Sequence, residues 1–231
     1  MTESQPKNPK VLFVFDKEKD LYNIWETCNV ASNWFDYKKT MSPALLKICE
    51  GKKFQECKKE LENHKQRLYD SKMIEVIAKA IQEAWNNIND EFFRRLERIM
   101  KKPVYTGLFM GYITTVTRCP YDTESSWFMV SFFRDILNVL KTAGHELMHL
   151  QFHHNYWANV EKEIGYEKTA DLKEALTVLL NLEFRDLWFT DDSGYPKHKN
   201  LRGFIEKTWK EKKDFDILIN ECITFLKKND L

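Results

Sequence analysis

The sequence predicts an α+β chain, mainly helical, with a small antiparallel sheet beside one central helix. Three observations predict it. Much of the first hundred residues repeats apolar positions at helical spacing. After Pro103 the texture changes to runs rich in β-branched and aromatic residues. A further helical stretch then follows, from Asp135 to about Phe152. Neither a Gly/Ser-rich nor a Pro-rich linker divides the chain, so residues 1–231 read as one domain. Within it, 1–103 form a mostly helical N-terminal portion, and 104–231 carry the strands and the later helices.

The elements follow in order. Val11–Phe15 is a short apolar run with the character of a strand. Ser42-Pro43 reads as an N-cap followed by a first-turn proline, and Gly51 as the end of that helix. The charged stretch from Lys52 to Tyr69 is amphipathic. Ser71 begins a long helix to about Met100, with a stripe of Ile74, Ile77, Ile81, Trp85 and Ile88. Val104–Val116 and Ser126–Phe133 read as strands that pair antiparallel, joined through the turn-rich segment Cys119–Ser125. In the helix after Asp135, the residues Ile136, Leu140, Ala143, Leu147 and Leu150 form one stripe.

Composition excludes several classes. With 36 Lys+Arg against 35 Asp+Glu, the formal net charge is +1, so no general attraction to nucleic acid or to an anionic membrane is expected. No apolar run approaches membrane-spanning length. The stretch Met1–Lys10 is polar, without the apolar region of a secretory signal, so none is expected there. Five cysteines, an odd number without a C-x-x-C pair, suit reduced thiols in a cytoplasmic protein better than a disulfide scaffold or a cysteine zinc site.

The chemistry lies in His145-Glu146-Leu147-Met148-His149. Residues four apart on a helix stand one above the other, so the two imidazoles can grip one Zn²⁺. Glu146 then stands beside the metal, where it can take a proton from a water. Both histidines point nearly opposite the apolar stripe. One side of the helix can therefore enter a core while the other faces a cleft.

This segment resembles the zincin metallopeptidases. Their extended motif has Val or Thr three residues before the first histidine and uncharged residues around the pair. Thr142, Ala143, Leu147, Met148 and Leu150 match it, and Gln151 departs from it. The metzincin branch requires glycine and histidine where this chain has Phe152 and Asn155. Glu174-Ala175-Leu176-Thr177 is similar to the glutamate motif of the gluzincins, as in the thermolysin group. That resemblance spans roughly residues 126–182. It implies Glu174 as third metal ligand, with His153, His154, Glu163, Glu167 and Asp171 as competitors. Where the thermolysin group has an aspartate that orients a ligand histidine, this chain has Val178. Asp171 or Asn181 then becomes the expected partner.

The resemblance implies one catalytic zinc, a peptide or protein substrate, and hydrolysis with Glu146 as general base. Zincins commonly hold substrate along a sheet edge, for which Trp127–Phe133 is the natural segment. A donor for the developing oxyanion is sought among Tyr156, Tyr166, Tyr195 and His198. His198 is preferred because it sits in the loop Ser193–His198 after the Glu174 helix. His64, in a charged helix, is expected in solvent. Two other classes compete: a non-catalytic zinc- or peptide-binding protein on the same scaffold, and a zinc amidohydrolase for non-peptide amides. Peptide deformylases share the histidine motif but draw a ligand cysteine from a Gly-rich segment, a context Cys119 lacks.

Overall fold

The computed structural model describes residues 9–31 and 35–229, so only the end of the polar stretch Met1–Lys10 falls within it. Strand β1 (Lys10–Phe15) is followed by α1 (Lys17–Asn29), α2 (Pro43–Cys49), α3 (Phe54–Tyr69), α4 (Met73–Asn86) and α5 (Asn89–Met100). Next come β2 (Leu108–Thr114), β3 (Tyr121–Asp122), β4 (Trp127–Ser131) and the central helix α6 (Ile136–Phe152). The chain continues through α7 (Ala158–Leu176), α8 (Val178–Glu183), α9 (Arg185–Trp188), α10 (Lys199–Lys212) and α11 (Phe215–Lys228). It is thus mainly helical with a small sheet, in the α+β class.

Local chemistry sets most boundaries. Asp16, Ser42 and Asp135 cap α1, α2 and α6, accepting from the backbone N–H of Lys19, Leu45 and Asn138. Gly51 takes φ +72° just past α2, a conformation cheap only for glycine. The stripe from Ser71 to Met100 is not one helix, because it breaks between α4 and α5. Three asparagines stand at the break, and the amide of Asn87 competes with the helical ladder. Asn87 donates to the Glu83 carbonyl at 2.7 Å, while Asn89 donates to the Pro9 carbonyl and accepts from the Trp85 indole. Ser71 donates to the Leu68 carbonyl, and so closes α3 rather than opening α4.

The sheet corrects a larger expectation. Its order is β1-β2-β4-β3; β1, β2 and β4 run parallel, and only β3 is antiparallel, to β4. The antiparallel pairing expected between the segments 104–116 and 126–133 is not formed. The return stroke is the short β3, which lies one strand further out, and β4 inserts between it and β2. Five register pairs join β4 to β2 against two to β3, so the longer ladder takes the inner place. Phe13, Gly111, Phe128 and Tyr121 share one row across the sheet. Phe13 and Phe128 of this row meet edge to face, and Phe13 packs on Trp85 of α4. The alternate positions Tyr112, Trp127 and Met129 face the other way, where Lys19 of α1 lies over the Tyr112 and Trp127 rings. At the outer side of β1, the Gln82 amide of α4 accepts from Phe13 N–H and donates to the Val11 carbonyl.

Two apolar clusters result. The larger runs from β1 to α11 and takes in Val139, Leu140, Ala143, Leu147 and Leu150 of α6. The smaller joins α1, α2 and α3 with Leu21, Ile24, Cys28, Leu45, Cys49 and Leu61. All five cysteines are free. Among the described residues, no helix is long and apolar enough to cross a membrane.

Helix α6 is covered on almost every side. Glu146, His149 and Gln151 are buried, so the side opposite the apolar stripe faces protein and a narrow cleft rather than bulk solvent. Gly144 explains one close approach. A Cβ there would stand 2.7 Å from Trp188 Cη2 of α9 and 3.2 Å from Phe92. Glycine costs a helix interior about 1 kcal/mol relative to alanine, and here it admits the buried Trp188 against α6. Gly144→Val is expected to lower the unfolding free energy by about 1–3 kcal/mol, read from the urea midpoint at unchanged slope.

Candidate metal centre

Helix α6 places His145 and His149 one turn apart, with ring centroids 4.3 Å from each other. It runs on through a π-helical turn at His153–Trp157 into α7. Within α7, Gly165 adopts φ +78° and ψ 167°, and the kink re-aims the second half of the helix so that Glu174 meets the histidines. Glu174 Oε2 lies 3.5 Å from His145 Nε2, and Oε1 lies 3.3 Å from His149 Nε2. The ligand atoms of these three residues fall within 4.8 Å of one another.

Neither ring nitrogen of His149 makes a well-aligned hydrogen bond, although the residue is 1% exposed and Nε2 has the Glu174 carboxylate 3.3 Å away. Orphaned buried polar atoms are costly and rare. A cation held jointly by the three side chains would satisfy one of these nitrogens. Two imidazoles and a carboxylate form a donor set that suits zinc, so the residues present fit such an ion.

The shell around the ligands is dense. Asp192 Oδ2 lies 2.9 Å from His145 Nδ1, which fixes the ring and leaves Nε2 toward Glu174. Asp192 is itself held: Thr177 and Arg202 donate to Oδ1, and Asn181 exchanges two bonds with its backbone. On the other side the Lys173 ammonium contacts Glu174 Oε1 at 2.7 Å and donates to the Tyr121 hydroxyl at 2.8 Å. The Tyr121 hydroxyl also lies 2.8 Å from His153 Nε2.

Ionisation follows these contacts. Burial opposes a charge on His145, but the Asp192 carboxylate outweighs it and raises the ring to about 10. Burial pushes His149 down to about 3. Burial also lifts Glu146 to about 7. Burial opposes ionisation of Glu174, but the Lys173 ammonium and the bond from His145 hold its carboxyl well below the usual range.

The centre opens into a cleft of about 960 Å³. Its wall includes Glu146 and the edge segment Arg118–Tyr121, with Tyr37 and Tyr195 also on it. The hydroxyls of Tyr37 and Tyr195 stand 3.2 Å apart. Burial raises both phenols, which therefore stay protonated as donors.

Several expected residues lie elsewhere. His198 is not a mobile loop residue over the cleft. A short 3₁₀ turn, Pro196–His198, leads straight into α10, and the buried His198 ring sits 2.9 Å from Asp171 Oδ1. Asp171 also pairs with Lys197, so it neither joins the ligand group nor orients a ligand histidine. Glu163 pairs with Lys227 in solvent, Glu167 is exposed at the cleft, and His64 is exposed on α3. His154 stacks on Tyr105, and Tyr156 donates into the core to the Met100 carbonyl. Tyr166 is exposed at the cleft rim. His153 lines the cleft through its bond to Tyr121, outside the ligand group. At Trp127 and Phe128 the segment Trp127–Phe133 is not an edge, because β3 pairs with β4 there. Sequence reasoning named Asn181 as a partner for a ligand histidine. Its part is to hold Asp192, which makes the contact. The loop Asp191-Asp192-Ser193 after the Glu174 helix was the available signal. Lys173 and Tyr37 left none.

No protein-family model, curated protein or solved structure matches this chain. Its functional reading therefore rests on the residues of this centre. Asp192→Asn keeps the shape but weakens the grip on His145. It is expected to lower zinc affinity about 10–100-fold, measured by competition with a chromogenic chelator.

Proposed function

We propose that this chain is a zinc-dependent peptidase of the zincin type, with Glu174 closing the ligand set in the gluzincin manner. One observation carries the reading: His145, His149 and Glu174 converge on a buried point where the His149 nitrogens make no well-aligned hydrogen bond, with Glu146 on the same cleft wall. Bound zinc would supply Lewis acidity to a substrate carbonyl and to a water. Glu146 accepts the proton of the attacking water and delivers it to the leaving amine. The Tyr37–Tyr195 pair, in place of His198, offers hydroxyl donors to the carbonyl oxygen as charge develops on it.

An extended peptide has an edge to pair with. The Met129 N–H bonds the Pro120 carbonyl, so Pro120 faces β4. Alternation then turns the main-chain N–H and C=O of Tyr121 outward, along the cleft wall. The edge for strand addition is thus β3, which takes the place expected for β4.

Glu146→Gln is expected to retain one zinc per chain by elemental analysis. It should cleave a random peptide library at least about 100-fold more slowly than wild type. Cleavage by the variant at the wild-type rate would remove Glu146 from the mechanism. A library left uncut by the zinc-loaded wild-type protein would favour a zinc- or peptide-binding protein instead.

A further inference from the structure

A second cavity, of about 570 Å³, lies on the opposite side of the edge segment from the metal. Arg118, Pro120 and Tyr121 line both cavities and form the partition between them. The second one is bounded by Tyr22 of α1, Phe54 of α3, and Trp127 and Met129 of β4. Its charged neighbours are already engaged. Glu18 pairs with Lys58, Glu26 with Arg118, and Asp122 accepts from Ser125 N–H. The Lys19 ammonium sits 4.6 Å from the centroid of the Trp127 ring, so a cationic guest is disfavoured. What remains for a guest is aromatic and aliphatic wall: the rings of Tyr22 and Phe54 meet edge to face at 5.3 Å, and Tyr22 is 46% exposed.

The register connects this cavity to the cleft. Tyr121 shares the row of Phe128, and its ring lies 5.6 Å from that of His149, on the metal side. Asp122 pairs with Trp127, on the α1 side. Side chains on a strand alternate between faces, and a strand added to β3 keeps that alternation. A substrate residue opposite Tyr121 therefore points to the metal side, and its two neighbours point to the α1 side.

Resting on the peptidase reading, we infer that the α1-side cavity is a specificity subsite for a bulky apolar or aromatic substrate side chain. The substrate is then an extended segment read on both faces. Side chains on the metal side meet the cleft, and alternate ones enter the pocket of Tyr22, Phe54 and Trp127.

The test is cleavage-site profiling of a random peptide library by zinc-loaded wild type, Tyr22→Ala and Tyr22→Trp. Wild type should favour Phe, Trp or Leu over Gly or Ser by about tenfold or more at one position, or at two positions two residues apart, on one side of the scissile bond. Tyr22→Ala should flatten that preference, Tyr22→Trp should shift it to smaller apolar residues, and preferences at the intervening positions should persist. Cleavage without the alternate-position preference, or with a preference that neither variant changes, overturns the subsite while leaving the peptidase reading intact. A library uncut by wild type overturns both.

Discussion

Helix α6 carries two imidazoles, a carboxylate and an amide into a largely buried region at the foot of the cleft, and each must be met by protein or by a ligand. That requirement organises the structure around it. Asp192 comes down onto His145, and Thr177, Asn181 and Arg202 are arranged to hold Asp192. Gln151, the residue that departs from the zincin pattern, donates to the Pro103 carbonyl and so ties α6 to the start of the strand region. The kink at Gly165 brings Glu174 to the histidines, and Lys173 beside it balances the added negative charge.

The N-terminal helices serve the same site at one remove. Buried Asp20 accepts from the Thr114 hydroxyl and from both the N–H and the hydroxyl of Thr115. Asn23 donates to the Thr114 hydroxyl and the Arg118 carbonyl, and Glu26 pairs with the Arg118 guanidinium. Polar groups of α1 thus set the path of the chain as it leaves β2. That path delivers Cys119, Pro120 and Tyr121 to the wall of the cleft. Residues near the start of the chain position the surface that faces His145, His149 and Glu174.

What could be read in advance was local. The cap at Ser42, the helix start at Asp135, strand β1 and the placing of His145, Glu146 and His149 on one helix all depend on residues within a turn or two. Glu174 was reachable because its neighbours resemble a known motif. Most of the failures share a cause, since a distant partner decided them. The direction of β4 depends on which strand fills the slot beside β2. Asp192 reaches His145 across a separation of 47 residues, and no spacing rule marks it. His198 looks like an exposed loop residue until Asp171 buries it. The Ser71–Met100 stripe misled for a different reason. Its periodicity is continuous, but the asparagines at 86, 87 and 89 carry amides that periodicity does not weigh.

The bonds from Gln82 to Val11 and Phe13 have a consequence for association. An unprotected sheet edge invites any extended chain, including a second copy of the same protein. Here a single side-chain amide imitates a neighbouring strand and closes the β1 edge. The far edge, β3, is only two residues long, too short a ladder to hold a partner by main-chain bonds alone. The two edges are therefore guarded in different ways: one is blocked, and the other admits only a chain that gains something further from its side chains. On the reading proposed above, protection from self-association and selectivity for a guest then rest on the same asymmetry of one small sheet.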